Sequence, residues 1–122
     1  MQNLYNKQVG NRGEEIAAQY LEKLGYKILK RNYRIRGGEI DIVAQDAQTL
    51  LFIEVKTRYS HDFGLPIESI TPFKIKALLR SAKFYIQDVS WGNNAYRVHL
   101  LTIDFTKSDE IPIIELVKDI NY

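Results

Sequence analysis

The chain has 122 residues, 45% of them hydrophobic and none of them cysteine, so a single domain over 1–122 with its own apolar core is the default. Disordered, collagen-like and low-complexity classes are excluded, as are disulfide scaffolds and thiolate metal sites. Lys and Arg number 17 against 15 Asp and Glu, a formal net charge of +2, which permits a polyanionic partner without demanding one.

The N-terminal stretch MQNLYNKQVGNRGEE has no apolar leader-like core, and the longest strongly apolar run, Leu50 to Ile53, is far below the ~18 residues of a membrane helix. A cytoplasmic protein without membrane contact is expected. From about Val9 to Leu24, the residues Ile16, Ala17, Tyr20, Leu21 and Leu24 recur at helical spacing, and Gly25 stands where a helix terminus wants a left-handed residue. Three β-rich runs follow, Tyr26 to Arg34, Glu39 to Gln45 and Thr49 to Arg58, the last two joined by the polar turn Asp46-Ala47-Gln48. Thr71 and Pro72 offer an N-cap and a first-turn proline to a second helix, in which Ile75, Leu78, Leu79, Ala82 and Ile86 form the apolar face as far as Val89. Trp91 with Gly92 reads as a turn anchor. Tyr96 to Phe105 and Ile111 to Lys118 then predict two more strands. The order α-β-β-β-α-β-β implies a mixed α/β sheet covered by helices, because the second helix is the crossover that returns the chain to the same sheet.

Two strands carry charge where apolar residues are expected. Period-two alternation puts Glu54 and Lys56 on one face with Leu50 and Phe52, and places Glu39 and Asp41 with Val43 while Ile40 and Ile42 point the other way. Counting back from the Asp46–Gln48 turn brings the Asp41 region beside Glu54. Adjacent carboxylates repel, so a cation must hold them together: Lys56, or a bound ion for which oxygen ligands favour Mg²⁺ or Mn²⁺ over zinc. On the first helix Glu14 lies at the margin of the apolar face and Glu15 points away from it; on the second, Lys74 lies near enough to its face to reach the site and Arg80 points outward.

Basic residues flank these acids. Lys30, Arg31, Arg34 and Arg36 lead into the Gly37-Gly38 turn, and Arg58 closes the third strand; Arg36, Arg58 and Lys74 are the candidate phosphate contacts. Lys76, Arg80 and Lys83 form a polar helix stripe, read as solvation. His61, in the loop Tyr59 to Pro66, is read as a solvated loop histidine.

The segments Gly10-Asn11-Arg12-Gly13-Glu14-Glu15, Asn32-Tyr33-Arg34, Arg36-Gly37-Gly38-Glu39-Ile40-Asp41, Phe52-Ile53-Glu54-Val55-Lys56-Thr57-Arg58 and Phe63-Gly64-Leu65-Pro66, followed by Thr71 and Lys74, together resemble the YraN family of small bacterial proteins. That family is placed in the PD-(D/E)xK nuclease superfamily and looks distantly like archaeal Holliday-junction resolvases. The resemblance spans about Gly10 to Phe105, with Ile40 standing where the superfamily's proline would be. It implies a three-layer α/β/α restriction-endonuclease-like core, a mixed sheet with helices on both faces. It further implies Asp41, Glu54 and the Val55 carbonyl as metal ligands, Lys56 as the catalytic lysine, and Glu14 as the acid of the first helix.

The expected activity is Mg²⁺- or Mn²⁺-dependent hydrolysis of phosphodiester bonds in DNA, branched or processed DNA among the substrates, by a chain able to act as a homodimer. Two other readings stand beside it. One is a non-catalytic nucleic-acid-binding or accessory module that keeps the fold; the other is an internal ion-pair network built from the same acids and Lys56.

Overall fold

The computed structural model describes residues 4–59, 70–92, 95–107 and 110–120, the stretch 4–11 by its backbone alone. His61, Phe63 and Pro66 lie outside the described residues. The observed order is α1 (Leu4–Lys23), β1 (Lys27–Ile35), β2 (Gly38–Asp46), β3 (Thr49–Arg58), α2 (Pro72–Asp88), β4 (Tyr96–Asp104) and β5 (Ile113–Val117). It follows the predicted sequence of elements. The first helix begins earlier than its apolar spacing suggested, at Leu4 rather than near Val9.

Local chemistry sets the helix ends. Gly25 adopts φ 92°, its N–H donates to the Glu22 carbonyl over 2.9 Å, and Tyr26 N–H donates to the Leu21 carbonyl over 3.0 Å, the pair of bonds that closes a Schellman terminus. Leu24 is consequently turned outward and 48% exposed, not part of the apolar face to which its spacing assigned it. At the start of α2 the Thr71 hydroxyl accepts the Lys74 N–H over 3.2 Å, and Pro72 occupies the first turn. Past its end, the Trp91 indole donates to the Ala95 carbonyl over 3.2 Å, anchoring the turn into β4.

The five strands lie in sequence order, β1-β2-β3-β4-β5. Only the β3–β4 pair is parallel, and α2 is the crossover between those two strands. Each face of the sheet has its own core. Ala17, Ala18 and Leu21 of α1 pack on Ile42, Ala44, Leu51, Ile53, Leu101 and Ile103; Leu78, Ala82 and Tyr85 of α2 pack on Ile40, Val43, Leu50, Phe52, Val98 and Leu100. The result is an α/β fold with helices on both faces of a mixed sheet, and β3 is buried on both sides, as its near-continuous apolar run requires.

One expectation about facing fails. Ile40 and Ile42 do not share a face: Ile40 joins the α2-side core with Val43, and Ile42 the α1-side core with Ala44. The strand turns over between them, at Asp41. Two irregularities in β1 accompany this: a register shift between Ile28 and Lys30, and Asn32, held at φ 54° opposite Asp41, between the pairs Arg31↔Ile42 and Tyr33↔Ile40. The shift at Ile28–Lys30 is a bulge, which bends and twists a strand; Asn32 keeps the register but departs from extended backbone.

Candidate active site

Asp41 and Glu54 meet where β2 peels away from β3. The ladder between these strands runs from Asp46↔Thr49 to Ile42↔Ile53, and beyond it the Val55 N–H donates to Asp41 Oδ2 over 2.8 Å. A side chain thus takes the place of a ladder partner, and both acids are partly buried. Burial, with the Glu54 charge next in weight, pushes the Asp41 carboxyl up to about 8; the charges of Glu14 and Glu39 push the same way, and the Val55 N–H opposes them. Burial also raises Glu54, countered by the ammonium groups of Lys74 and then Lys56 and by its hydrogen bond with Asp41.

Each neighbour arrives on a different element. Lys56 follows Glu54 by two residues on β3 and so shares its face. Lys74, in the first turn of α2, lines with Glu54, Glu39, Ile70 and Phe73 a cleft of about 200 Å³. Glu14 bears on Asp41 by its charge, from a helix that lies close to β3 at Gly13. That glycine is buried, and a Cβ on it would overlap Thr57 Oγ1, so only glycine lets the helix settle beside Glu54-Val55-Lys56.

A second close approach positions Glu39 and Asp41. The β1–β2 turn docks on α2: the Arg80 guanidinium donates to the Gly37 carbonyl over 2.7 Å, Gly37 has φ 83°, and a Cβ on Gly38 would overlap Ser81 Oγ. Arg80, read from its wheel position as pointing outward, therefore clamps the turn that carries the acidic strand. Its partner is a backbone carbonyl distant in sequence; the Gly37-Gly38 doublet was the one local sign of it.

The basic residues divide by partner. Arg31 is bound to Glu15 over 2.8 Å and Arg34 to Glu39 over 3.3 Å, both at exposed sites, so Glu15 is ion-paired as well as solvated. Arg36 is exposed in the turn next to the acidic strand. Arg58 is only 8% exposed, at the inner end of β3 rather than on the surface. Nearby on the α1 side, the Arg12 guanidinium lies 4.6 Å from the centre of the Phe105 ring, and that ring stacks on Tyr59 at 4.7 Å.

Among the described residues, no three His, Asp or Glu side chains converge at ligand spacing. The acids able to hold a cation are the pair Asp41 and Glu54, with Glu14 and Glu39 adding negative charge from farther off. Two crowded carboxyl groups, one of them driven to about 8, are a donor set that a hard divalent cation would relieve; such ions accept few protein ligands and keep several waters.

Residues 13–107 match the model of the family described as Uncharacterised protein family UPF0102. A UPF0102 protein of Caldicellulosiruptor saccharolyticus is 41% identical over 113 residues, covering 93% of this chain and 96% of its own. One from Dehalococcoides mccartyi is 42% identical over 116 residues, 94% of each chain. A third, from Geobacter sulfurreducens, reaches 53% over 78 residues, 64% of this chain and 61% of its own. The matched span includes Glu14, Asp41, Glu54 and Lys56.

Proposed function

The chain belongs to the UPF0102 family, the YraN family its motifs resemble, and from that premise we propose a metal-dependent nuclease that hydrolyses phosphodiester bonds in DNA, branched or processed DNA included. The reading takes the sheet and its two helices as a PD-(D/E)xK, restriction-endonuclease-like core. The observation that carries it is the partly buried Asp41–Glu54 pair with Lys56 and Lys74 directed at it. A fold gains nothing in stability by crowding two carboxyls at the edge of its core, whereas phosphodiester hydrolysis needs such a centre.

In this reading Asp41, Glu54 and the Val55 carbonyl hold Mg²⁺ or Mn²⁺. The ion supplies charge neutralisation and an acidified water when bound. Lys56 and Lys74 stand against the extra negative charge of the pentacovalent phosphate, Lys56 as a charged group that orients and stabilises rather than a base. Glu14 adds its negative charge near Asp41 and so strengthens the pull of the site on a cation. Arg36, exposed beside the acidic strand, meets a neighbouring phosphate, and Arg58, at 8% exposure, supports the site from within. A homodimer would set two such sites on opposed strands of a branched substrate.

The test is cleavage of labelled single-stranded, duplex, flap and four-way-junction DNA, and RNA, with Mg²⁺, Mn²⁺ or EDTA. Metal-dependent cutting should be lost in Asp41→Asn and cut by at least about a hundredfold in Lys56→Ala. If Asp41→Asn cuts like the parent, the site is wrong. Salt-dependent binding without cutting in any metal would instead favour the accessory module.

A further inference from the structure

The outer surface of α2 has a pattern that solvation alone does not explain. Phe73 is 81% exposed and Phe84 51%, two large aromatic rings that folding leaves in water. They lie about 20° apart around the helix axis and about 16 Å along it, on one stripe. Between and beside them stand Lys76, Arg80 and Lys83, all exposed. The sole acid on α2 is Asp88, its last residue. The stripe starts at the candidate active site, since Phe73 and Lys74 line the same cleft as Glu54.

Two exposed rings with a row of cations between and beside them match a nucleic-acid strand whose bases are unpaired. Bases stack on the rings regardless of sequence, while the backbone phosphates follow the ammonium groups. A duplex keeps its bases stacked inside and would use the cations but not the rings. We propose that the outer face of α2 is the track for a single strand of nucleic acid, with bases on Phe73 and Phe84 and phosphates on Lys76 and Lys83, leading the strand to the acid pair. The substrate is then a single strand or a strand locally released from its partner, as at a flap or a branch point. This deepens the nuclease reading and rests on it for the class of partner. Arg80 adds charge to the stripe while its guanidinium clamps Gly37, which makes it unsuitable as a probe.

The experiment is fluorescence anisotropy of the full chain with a labelled oligothymidylate and with a duplex of equal length, in EDTA, across a salt series. The parent should prefer the single strand. Phe73→Ala with Phe84→Ala should weaken strand binding by at least about tenfold, whereas Phe73→Tyr with Phe84→Tyr should retain it. Lys76→Gln with Lys83→Gln should lower the salt slope by roughly 1.4. Equal affinity for the duplex, or an alanine pair that binds like the parent, overturns the track and leaves the hydrolytic reading standing. Asp41→Asn separates the two from the other side: it should bind the strand as the parent does, and cutting that survives in it removes the site without touching the track.

Discussion

The Val55 N–H donates to Asp41 Oδ2 over 2.8 Å, joining β3 to β2 just beyond their last ladder pair, Ile42 with Ile53. One oxygen of Asp41 is thereby fixed to the backbone, and the same carboxyl is hydrogen-bonded to Glu54. The bond explains how an acid can sit at a strand separation without disordering it: the backbone group that lost its ladder partner is satisfied by the acid itself.

Because the Asp41 carboxyl is raised to about 8, mainly by burial, from 3.8 in an unstructured chain, the fold favours its neutral form. Its contribution to stability is complete below the unfolded value and is lost as pH rises through about 8. Above pH 6.5, where the loss at Asp41 is not opposed by His99, urea midpoints of the metal-free protein should therefore decline as pH rises to about 8. Asp41→Asn, neutral throughout, should flatten that decline; an unchanged slope would mean that other groups cause it.

Divalent cations should act in the opposite sense. Mg²⁺ or Mn²⁺ bound only by the folded state stabilises it by mass action, about 2.7 kcal/mol at a hundred times the dissociation constant. The melting temperature at pH 8 should rise with added metal in the parent and stay level in Asp41→Asn and Glu54→Gln. A rise of equal size in all three would place the metal elsewhere.

Gly13→Ala should cost about 1–3 kcal/mol, since the new methyl overlaps Thr57 Oγ1 and α1 must lift from β3. Thr57→Ala in the same chain removes the obstructing oxygen and should recover most of the loss in urea unfolding. Failure of that rescue would show that Gly13 matters to the helix rather than to the approach.

His99 is 2% exposed, and its Nδ1 accepts the Asp119 N–H over 3.0 Å; burial holds its pKa below 6.5. The neutral ring is the folded form, so its contribution is present above pH 6.5 and is lost as pH falls below that value. His99→Gln should remove the part of the acid-side decline between pH 6.5 and 5, as read from denaturant midpoints.

Periodicity and turn chemistry were enough to order the elements, to pair β2 with β3 and to bring Asp41 beside Glu54, because a short hairpin turn propagates register residue by residue. The residues at risk in that inference were the ones past the last ladder pair. Alternation presumes a regular strand, and β2 turns over at Asp41, opposite Asn32 with its φ of 54°; no local pattern announced it.

The amino-acid sequence alone determined the α/β order, the two apolar helix faces and the unusual placement of Glu54, Lys56 and Asp41 in strands, since these follow from local spacing. Only the tertiary structure decided that Arg80 clamps Gly37, that Gly13 and Gly38 are contact points, and that Arg58 is buried. Each of those is a meeting of segments far apart in the chain, set by how closely two helices can approach opposite faces of one sheet, a distance that packing decides and sequence spacing does not encode.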